Sequence, residues 1–329
     1  MREATRGTGE LRRQLITYGP LLAALILEIA VFEFVGRSKG IPGFASVNTA
    51  ILVLNHSAIY GVMAIGMTFI ILTGGIDLSV GSLMAFAGVA CAWIVNWGGD
   101  PFSLWLFAGY AAALLLGIAS GAISGLLITR FAIPPFIATL ALMSSLRGLA
   151  NLATDGKPIA PLPEPYGILG RYQLFGEMPI SVILFVVILI GGAVLLNHTR
   201  FGRHVRAIGG NEESARLSGI NVKRVILYVY MFGGALTAIS GLILSSKLGA
   251  GSPKVGVADE LQVIAAVVVG GTSLSGGKGT IGGTFMGLLV VAVLNSGLNW
   301  IGVETFGQQV ILGIVILAAV LLDQAKARL

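Results

Sequence analysis

Long apolar runs, separated by short polar segments, follow one another along almost the entire chain. A helix needs about 20 mainly apolar residues to cross the hydrocarbon core of a bilayer, so runs of this length predict membrane spans. The candidate spans are residues 18–36, 50–73, 80–98, 103–129, 134–153, 180–197, 225–246, 260–272, 282–300 and 306–322. The pattern therefore predicts an all-α polytopic membrane protein with about ten transmembrane helices.

Two of these runs differ from a simple span. The run 260–272 is short, while 134–153 begins at Pro134-Pro135 and carries Arg147 near its end. Proline interrupts helical hydrogen bonding, and a charged side chain is costly in lipid. We expect some of the spans, these two first, to be tilted, broken or re-entrant.

The composition agrees with a chain that folds in lipid. Hydrophobic residues make up 55% of the 329 and charged residues only 11%, whereas about a quarter of a soluble domain is charged. The 47 glycines favour close helix packing and helix breaks, which are both common in transporters. The basic residues lie beside spans, so we interpret them as orientation signals and expect no nucleic acid partner.

The distribution of basic residues predicts the orientation. The N-terminal basic segment leads into a long apolar run without a convincing cleavage site, so we expect an uncleaved first span and a cytoplasmic tail at 1–17. With this orientation 14 Lys and Arg residues are cytoplasmic, six are on the other side, and Arg147 lies within a span. Because cytoplasmic loops are enriched in basic residues, both termini and the segment 198–224 are predicted to be cytoplasmic.

Two glycine-rich turns, at 73–81 and 269–277, resemble each other, and each follows an apolar run. Paired interruptions of this kind often mark the pathway of a transporter, although chance similarity between two Gly/Ser-rich turns is an equally good explanation. Asp77 fits a cap at the start of the third span better than a cation-coupling group. The candidate gating or turn residues are Gly74, Gly75, Asp77, Ser79, Gly270, Gly271, Gly276 and Gly277.

Nucleotide and enzyme motifs are not supported. The segment 277–282 matches G-x-G-x-x-G, but a long apolar run follows it and no strand-helix alternation surrounds it. A Walker A loop fails because Thr272 replaces its first glycine and Gly279 follows the lysine. His56, His198 and His204 have no metal-ligand spacing. We therefore predict that the chain is not an enzyme and has no cofactor or metal site. We expect another chain to hydrolyse any ATP.

The basic segment 198–224 contains the signals of a short helix. Asn211 suits the N-cap, Glu212 and Glu213 suit the positive helix start, and Gly219 can adopt the left-handed conformation that ends a helix. A two-turn helix is marginally stable alone, so we expect it to dock against another surface. The alternative is an ordinary cytoplasmic loop that follows the positive-inside rule.

Residues 210–221 resemble the cytoplasmic coupling loop of ribose-type sugar ABC permeases. The resemblance extends over nearly the whole chain, including residues 72–82 and 270–280, and the three matches follow in the right order. It implies one transmembrane permease domain over 1–329, like that of type II ABC importers, in a bacterial inner membrane, with 198–224 as the coupling loop. Ser214 replaces a common alanine. The implied partners are a cytoplasmic ATP-binding subunit with two cassettes, a periplasmic sugar-binding protein and a second copy of the chain. The implied coupling residues are Asn211, Glu212, Ala215, Arg216, Gly219 and Ile220.

Polar residues within spans are costly, so each is a candidate for function. Amide side chains offer donors and acceptors to sugar hydroxyls, while hydrogen bonding between helices is the alternative role. The candidate pathway residues are Asn55, His56, Asn151, Gln262, Asn295 and Asn299.

We hypothesise import of a monosaccharide, a pentose or hexose, by an ABC importer permease. The alternatives are nucleosides or branched-chain amino acids as solutes, or a membrane scaffold. A further alternative is ion-coupled transport through Asp77, Glu260 or His56.

Overall fold

The computed structural model describes residues 2–41, 43–98, 104–174 and 178–328, with side chains from residue 18 to residue 321 within these ranges. Its helices are α1 (Arg2–Ser38), α2 (Val47–Leu72), α3 (Val80–Gly98), α4 (Leu104–Phe131), α5 (Pro135–Leu152), α6 (Ile180–His198), α7 (Arg200–Gly210), α8 (Glu212–Leu217), α9 (Val222–Leu248), α10 (Asp259–Val269), α11 (Ile281–Trp300) and α12 (Thr305–Arg328). A 3₁₀ helix covers Glu164–Ile168, and the strands β1 (Gln173–Leu174) and β2 (Met178–Pro179) pair antiparallel. The all-α prediction is confirmed.

Each of the ten apolar runs coincides largely with one helix, although the run 260–272 extends three residues past the end of α10. Among the described residues, seven helices contain a stretch long and apolar enough to cross a membrane, in α1, α2, α3, α4, α6, α9 and α11. Of the other three, α5 carries Arg147, α10 has only 11 residues, and α12 has a shorter apolar part at Thr305–Leu321. The polytopic architecture is confirmed, and the total of ten spans stays a prediction.

Helix α9 lies at the centre of the bundle, where glycines allow its backbone to approach three neighbours. A Cβ atom at Gly66 of α2 would lie 2.9 Å from the Cα atom of Gly233. Gly117 and Gly121 of α4 contact the α9 backbone so closely that any Cβ atom would overlap it. Small residues have this role in membrane helices because the hydrophobic effect does not drive one helix against another within lipid, so close packing must do so. The glycine-rich composition is thus explained by packing.

The chain contains two long helices that are each followed by an irregular segment and a helix that starts inside the bundle. After α2, the segment 73–79 leads to α3, which packs along the second half of α9 through contact of Met84 with Gly241. After α9, the segment 249–258 leads to α10, which at 1.5 Å per residue is about 16 Å long, roughly half of the hydrocarbon core. The backbones of Gly81 and Gly256 touch, so the two helix starts lie together.

The expectation of broken spans is correct for one of the two named runs. The run 260–272 forms the short helix α10, preceded by an irregular segment. The run 134–153 instead forms one uninterrupted helix of 18 residues, because Pro134 is its N-cap and Pro135 its first residue, positions where proline requires no helical hydrogen bond. The break before α3 was predicted only as a turn.

The irregular segments gather at two opposite ends of the bundle. Helices α7 and α8 share one end with the turns that follow α2 and α10, since the Gly277 N–H donates to the Leu72 carbonyl at 2.9 Å. The 3₁₀ helix and residues 249–251 share the other end, where Ile159 and Gly251 pair through two backbone hydrogen bonds. Residues 2–17 of the predicted cytoplasmic tail belong to α1, which begins at Arg2, while the candidate span within this helix is Tyr18–Ser38. The cytoplasmic location of the tail stays a prediction.

Candidate translocation cavity and coupling surface

A polar cavity of about 390 Å³ lies among α2, α10, α11 and α12. The Asn295 amide donates to Gln262 Oε1 at 3.0 Å, and the Tyr60 hydroxyl donates to Asp259 Oδ1 at 3.4 Å on the α10 side. Tyr60 lies in the middle of α2, so this wall is deep in the bundle. The lining includes two titratable groups, His56 and Asp259, and seven uncharged polar side chains: Gln262, Asn295, Ser296, Asn299, Thr305, Gln308 and Gln309.

Four of the six predicted pathway residues line this cavity, which are His56, Gln262, Asn295 and Asn299. The other two lie elsewhere. Asn55 accepts from the Ser181 hydroxyl at 3.5 Å and bridges α2 to α6. Asn151 donates to the Arg147 carbonyl at 2.8 Å within α5. The Asn55 contact matches the alternative of hydrogen bonding between helices, whereas the Asn151 bond stays within one helix.

Several cavity residues were not predicted from the sequence. Asp259, buried beside the cavity, is adjacent to Glu260, which was considered only as an ion-coupling group. Gln308 and Gln309 lie at the start of the last apolar run, which we judged by its hydropathy alone. The amide pair in that run is the signal that could have found the α12 wall.

Asp77 is buried just before α3 and has a local structural role. Its Oδ1 accepts from the Ser79 backbone N–H at 2.8 Å and from the Ser79 hydroxyl at 2.6 Å. Ser79, whose carbonyl accepts from Leu83 N–H, immediately precedes the helix. Asp77 thus orients the residue at the helix start and does not itself bond the helix N–H groups.

The two similar glycine turns end their helices by the same geometry. After α2, Gly74 has φ +80° and its N–H donates to Ile71, while Gly75 N–H donates to Ile70. After α10, Gly271 has φ +85° and donates to Val268, and Thr272 donates to Val267. Both are helix ends of the Schellman type. The structurally equivalent glycines are Gly74 and Gly271. The alignment of the two segments differs from this by one residue, since it pairs Gly75 with Gly271.

These two turns meet the end of α7 at Gly209. A Cβ atom there would overlap the Leu72 carbonyl and the Gly277 N–H. At the same place, a Cβ atom of Gly276 would lie 3.0 Å from Gly209 and 3.1 Å from Gly74 N. Gly270 instead packs against the α11 backbone. The C-terminus of α7 is therefore in direct contact with both turns.

Helix α7 was not predicted, although its sequence is strongly amphipathic. Its apolar face carries the buried Val205 and Ile208, while Arg200 and Arg203 are exposed. Phe201 stacks on Phe69 of α2 with ring centroids 6.1 Å apart. The basic residues of the segment 198–224 thus lie on a helix fixed to the bundle.

Helix α8 has the predicted capping. Asn211 Oδ1 accepts from Ser214 N–H at 2.7 Å, and Gly219 ends the helix with φ +83°. Arg216 forms two hydrogen bonds with Glu213, of 2.6 and 3.0 Å, and the Glu213 carboxylate raises the pKa of Arg216. Glu212 and Arg216 are exposed to solvent.

The sequence profile of the family described as branched-chain amino acid transport system / permease component matches residues 49–320. This range includes the cavity, both glycine turns and helices α7 and α8. The chain belongs to this permease family.

Similar proteins are ribose and xylose permeases. The ribose import permease protein RbsC of Bacillus subtilis (strain 168) is 46% identical over 318 residues, which cover 94% of this chain and 93% of the relative. RbsC of Escherichia coli (strain K12) is 40% identical over 313 residues, with 93% of each chain covered. The xylose transport system permease protein XylH of the same strain is 35% identical over 368 aligned positions, with 94% and 92% covered. No solved structure matches significantly.

The permease is a multi-pass inner-membrane protein and a transport component rather than a catalytic subunit. The residues that α8 and its flanks expose differ from the six named as candidate coupling residues. Ala215 is buried and Ile220 is partly buried, and both pack against the apolar core of the same chain. Ser214, for which a buried docking contact was considered, is exposed. Leu217, which we did not predict, is 77% exposed at the end of α8.

Proposed function

We propose that this permease is the membrane-spanning subunit of an ATP-driven ABC importer that moves a monosaccharide, a pentose or hexose, into the cytoplasm. The carrying observation is the polar cavity among α2, α10, α11 and α12, which gathers uncharged amide and hydroxyl groups beside α2 and α11, two helices long and apolar enough to span the membrane. Amides and hydroxyls both donate and accept hydrogen bonds, as sugar hydroxyls do. The relatives named for ribose and xylose import support the same solute class.

The chemistry of the lining favours a neutral solute over an amino acid. A zwitterion carries two full charges, which need charged or strongly dipolar partners when they leave water. Seven lining groups are neutral, and the Asp259 carboxylate already accepts from Tyr60. A neutral polyhydroxy solute instead exchanges water hydrogen bonds for amide hydrogen bonds at little cost.

We further propose that α7 and α8 form the surface that couples the permease to a cytoplasmic ATP-binding subunit with two cassettes. The exposed Leu217 and the charges of Glu212, Glu213 and Arg216 would contact that subunit. Movement of α7 would then act through Gly209 on the turns after α2 and α10. Helix α10 carries Gln262, so the same movement would reach the cavity wall.

The remaining partners and the orientation belong to the same proposal. With both termini in the cytoplasm, α8 faces the ATP-binding subunit, while the 3₁₀ helix and residues 249–251 face the periplasm. A periplasmic sugar-binding protein would deliver the solute to that side, and a second copy of the permease would complete the transporter in the bilayer.

Reconstitution of the purified permease in vesicles, with and without the candidate ATP-binding subunit and binding protein, tests the function. We expect accumulation of a radiolabelled pentose or hexose only in the complete system with ATP. Accumulation driven by an ion gradient with the permease alone would contradict the proposal. Uptake of leucine but of none of the sugars, with the complete system, would contradict the solute class.

A further inference from the structure

A second cavity, of about 450 Å³, borders residues 256–258 and shares Val257 with the polar translocation cavity. It lies between α3, α5 and the start of α10, and its polar lining is Ser82, Ser144, Arg147 and Glu260. Val257 lines both cavities and is 67% exposed. The segment that carries Val257 is therefore a partition between the two cavities.

Neighbouring residues at the start of α10 line the two sides of this partition. Asp259 lines the first cavity and Glu260 the second. The Glu260 carboxylate lies over Gly81 at the start of α3, with Oε2 2.7 Å from where a Cβ atom would be. A negative charge is favourable there because the start of a helix carries a partial positive charge. The second cavity thus has its own polar wall.

Arg147 of α5 holds the partition by three hydrogen bonds to backbone carbonyls. Nη1 donates to Pro253 and to Val255, both at 2.6 Å, and Nη2 donates to Gly256 at 2.8 Å. Hydrogen bonds from a charged donor are stronger than neutral ones. The acceptors belong to one short segment, so a single side chain fixes its position.

The partition has little regular structure of its own. Gly256 has φ +72° and Ala258 has φ +65°, a value that is costly for a residue with a Cβ atom. Ala258 also provides no side-chain hydrogen bond to the start of α10. A segment in this conformation depends on outside contacts, and the Arg147 guanidinium supplies three of them.

We propose that the segment 253–258 is a gate latched by Arg147, and that the second cavity is a further part of the solute pathway which joins the first when the latch opens. This inference rests on the proposed transport function, and it adds a positioning residue and a second compartment. A solute that passes Val257 would exchange the amides of the first cavity for Ser82, Ser144 and Glu260 of the second. Closure of the latch would prevent passive leakage.

The first test removes the latch in the full-length permease. Arg147→Met loses all three hydrogen bonds, and Arg130→Met, which removes an exposed arginine at the end of α4, is the matched control. The permease alone is placed in vesicles, and entry of a radiolabelled pentose is measured without ATP. We expect Arg147→Met to increase entry by roughly tenfold or more, the shift in open population expected from losing charge-assisted hydrogen bonds, and Arg130→Met to leave it unchanged. Entry at the parental rate in a correctly inserted Arg147→Met protein would overturn the latch.

The second test blocks the gate without disturbing the fold. Val257→Cys is made in a Cys91→Ala background, which removes the single cysteine, and is modified by a bulky maleimide in the assembled transporter. Lys254→Cys is the control, because Lys254 is exposed on the same segment and lines neither cavity. We expect modification at 257 to abolish ATP-driven pentose accumulation and modification at 254 to leave most of it. Equal accumulation after both modifications would overturn the gate, whereas absence of accumulation in the unmodified parent would contradict the proposed function and leave the leak test to decide on the gate.

Discussion

Gly209 is the residue at which α7 contacts the turns after α2 and α10. Its Cα atom approaches the Leu72 carbonyl and the Gly277 N–H more closely than any residue with a Cβ atom allows. The Leu72 carbonyl and the Gly277 N–H cannot move easily, because they are hydrogen-bonded to each other. The contact therefore transmits displacement of α7 with little slack.

We expect Gly209→Ala to reduce ATP-driven uptake strongly and to destabilise the permease by about 1–3 kcal/mol, the usual cost of an overpacked site. Gly210→Ala is the control, because a Cβ atom there meets nothing within 4 Å. Uptake in vesicles and the thermal unfolding midpoint in detergent are measured for both variants. Equal behaviour of the two alanine variants would show that the close contact is unimportant.

Asn295 and Asn55 allow a matched test of the cavity, since both are asparagines in a membrane helix. Asn295→Leu removes a group that lines the cavity and leaves its partner Gln262 unsatisfied. We expect the KM for the sugar to rise by roughly tenfold or more, because polar sites discriminate strongly against lost hydrogen bonds. Asn55→Leu, which lies outside this cavity, should keep a KM within about threefold of the parent. The opposite ranking would place the pathway near Asn55.

Helix α8 illustrates how a very short helix is stabilised. Asn211 caps its first turn, the buried Ala215 fixes it to its own chain, and Gly219 ends it. Isolated helices of this length are unstable, so the tertiary contact and the caps are both required. The result is an exposed apolar side chain, Leu217, on a rigid support.

We expect Leu217→Ser to weaken association with the ATP-binding subunit by roughly tenfold or more, as for a central apolar contact of an interface. Leu248→Ser is the control, because Leu248 is also exposed but lies at the opposite end of α9. Co-purification and ATP-stimulated uptake are compared for the two variants. Normal association in Leu217→Ser would indicate that α8 does not dock through its apolar end.

The molecule as a whole has two chemically different ends. Helices α7 and α8 with their exposed arginines lie at one end, and the 3₁₀ helix with the segments around it lies at the other. Cytoplasmic loops retain basic residues because positively charged segments are poorly translocated. The basic end is therefore expected to face the cytoplasm.

Single cysteines in the Cys91→Ala background test this orientation with a membrane-impermeant maleimide. Ser214 and Lys157 are both exposed, at the basic end and at the opposite end. We expect Lys157→Cys to react in intact cells and Ser214→Cys to react only after the membrane is permeabilised. The reverse pattern would invert the permease and place α8 out of reach of a cytoplasmic ATP-binding subunit.

The sequence by itself determined features that depend on local chemistry. The apolar runs predicted the positions of ten helices, α1 to α6 and α9 to α12. They could do so because the thickness of the bilayer sets the length of a membrane span. Asn211 and Gly219 located the ends of α8, since a cap and its partners lie within a few residues of each other. Pro134 and Pro135, in contrast, led to the prediction of an irregular span, although proline at the first residue of a helix does not disturb it.

Only the tertiary structure decided which polar residues act together. Asn55 and Asn295 are both asparagines within apolar runs. The sequence does not tell which of them faces the other helices that line the cavity. Arg147 finds its acceptors more than a hundred residues away, and Gly209 meets two turns from distant parts of the chain. Hydropathy does not distinguish a residue that faces lipid from one that faces protein. The two cavities, the partition between them and the contact of Gly209 with the two turns are therefore decided by how the helices pack.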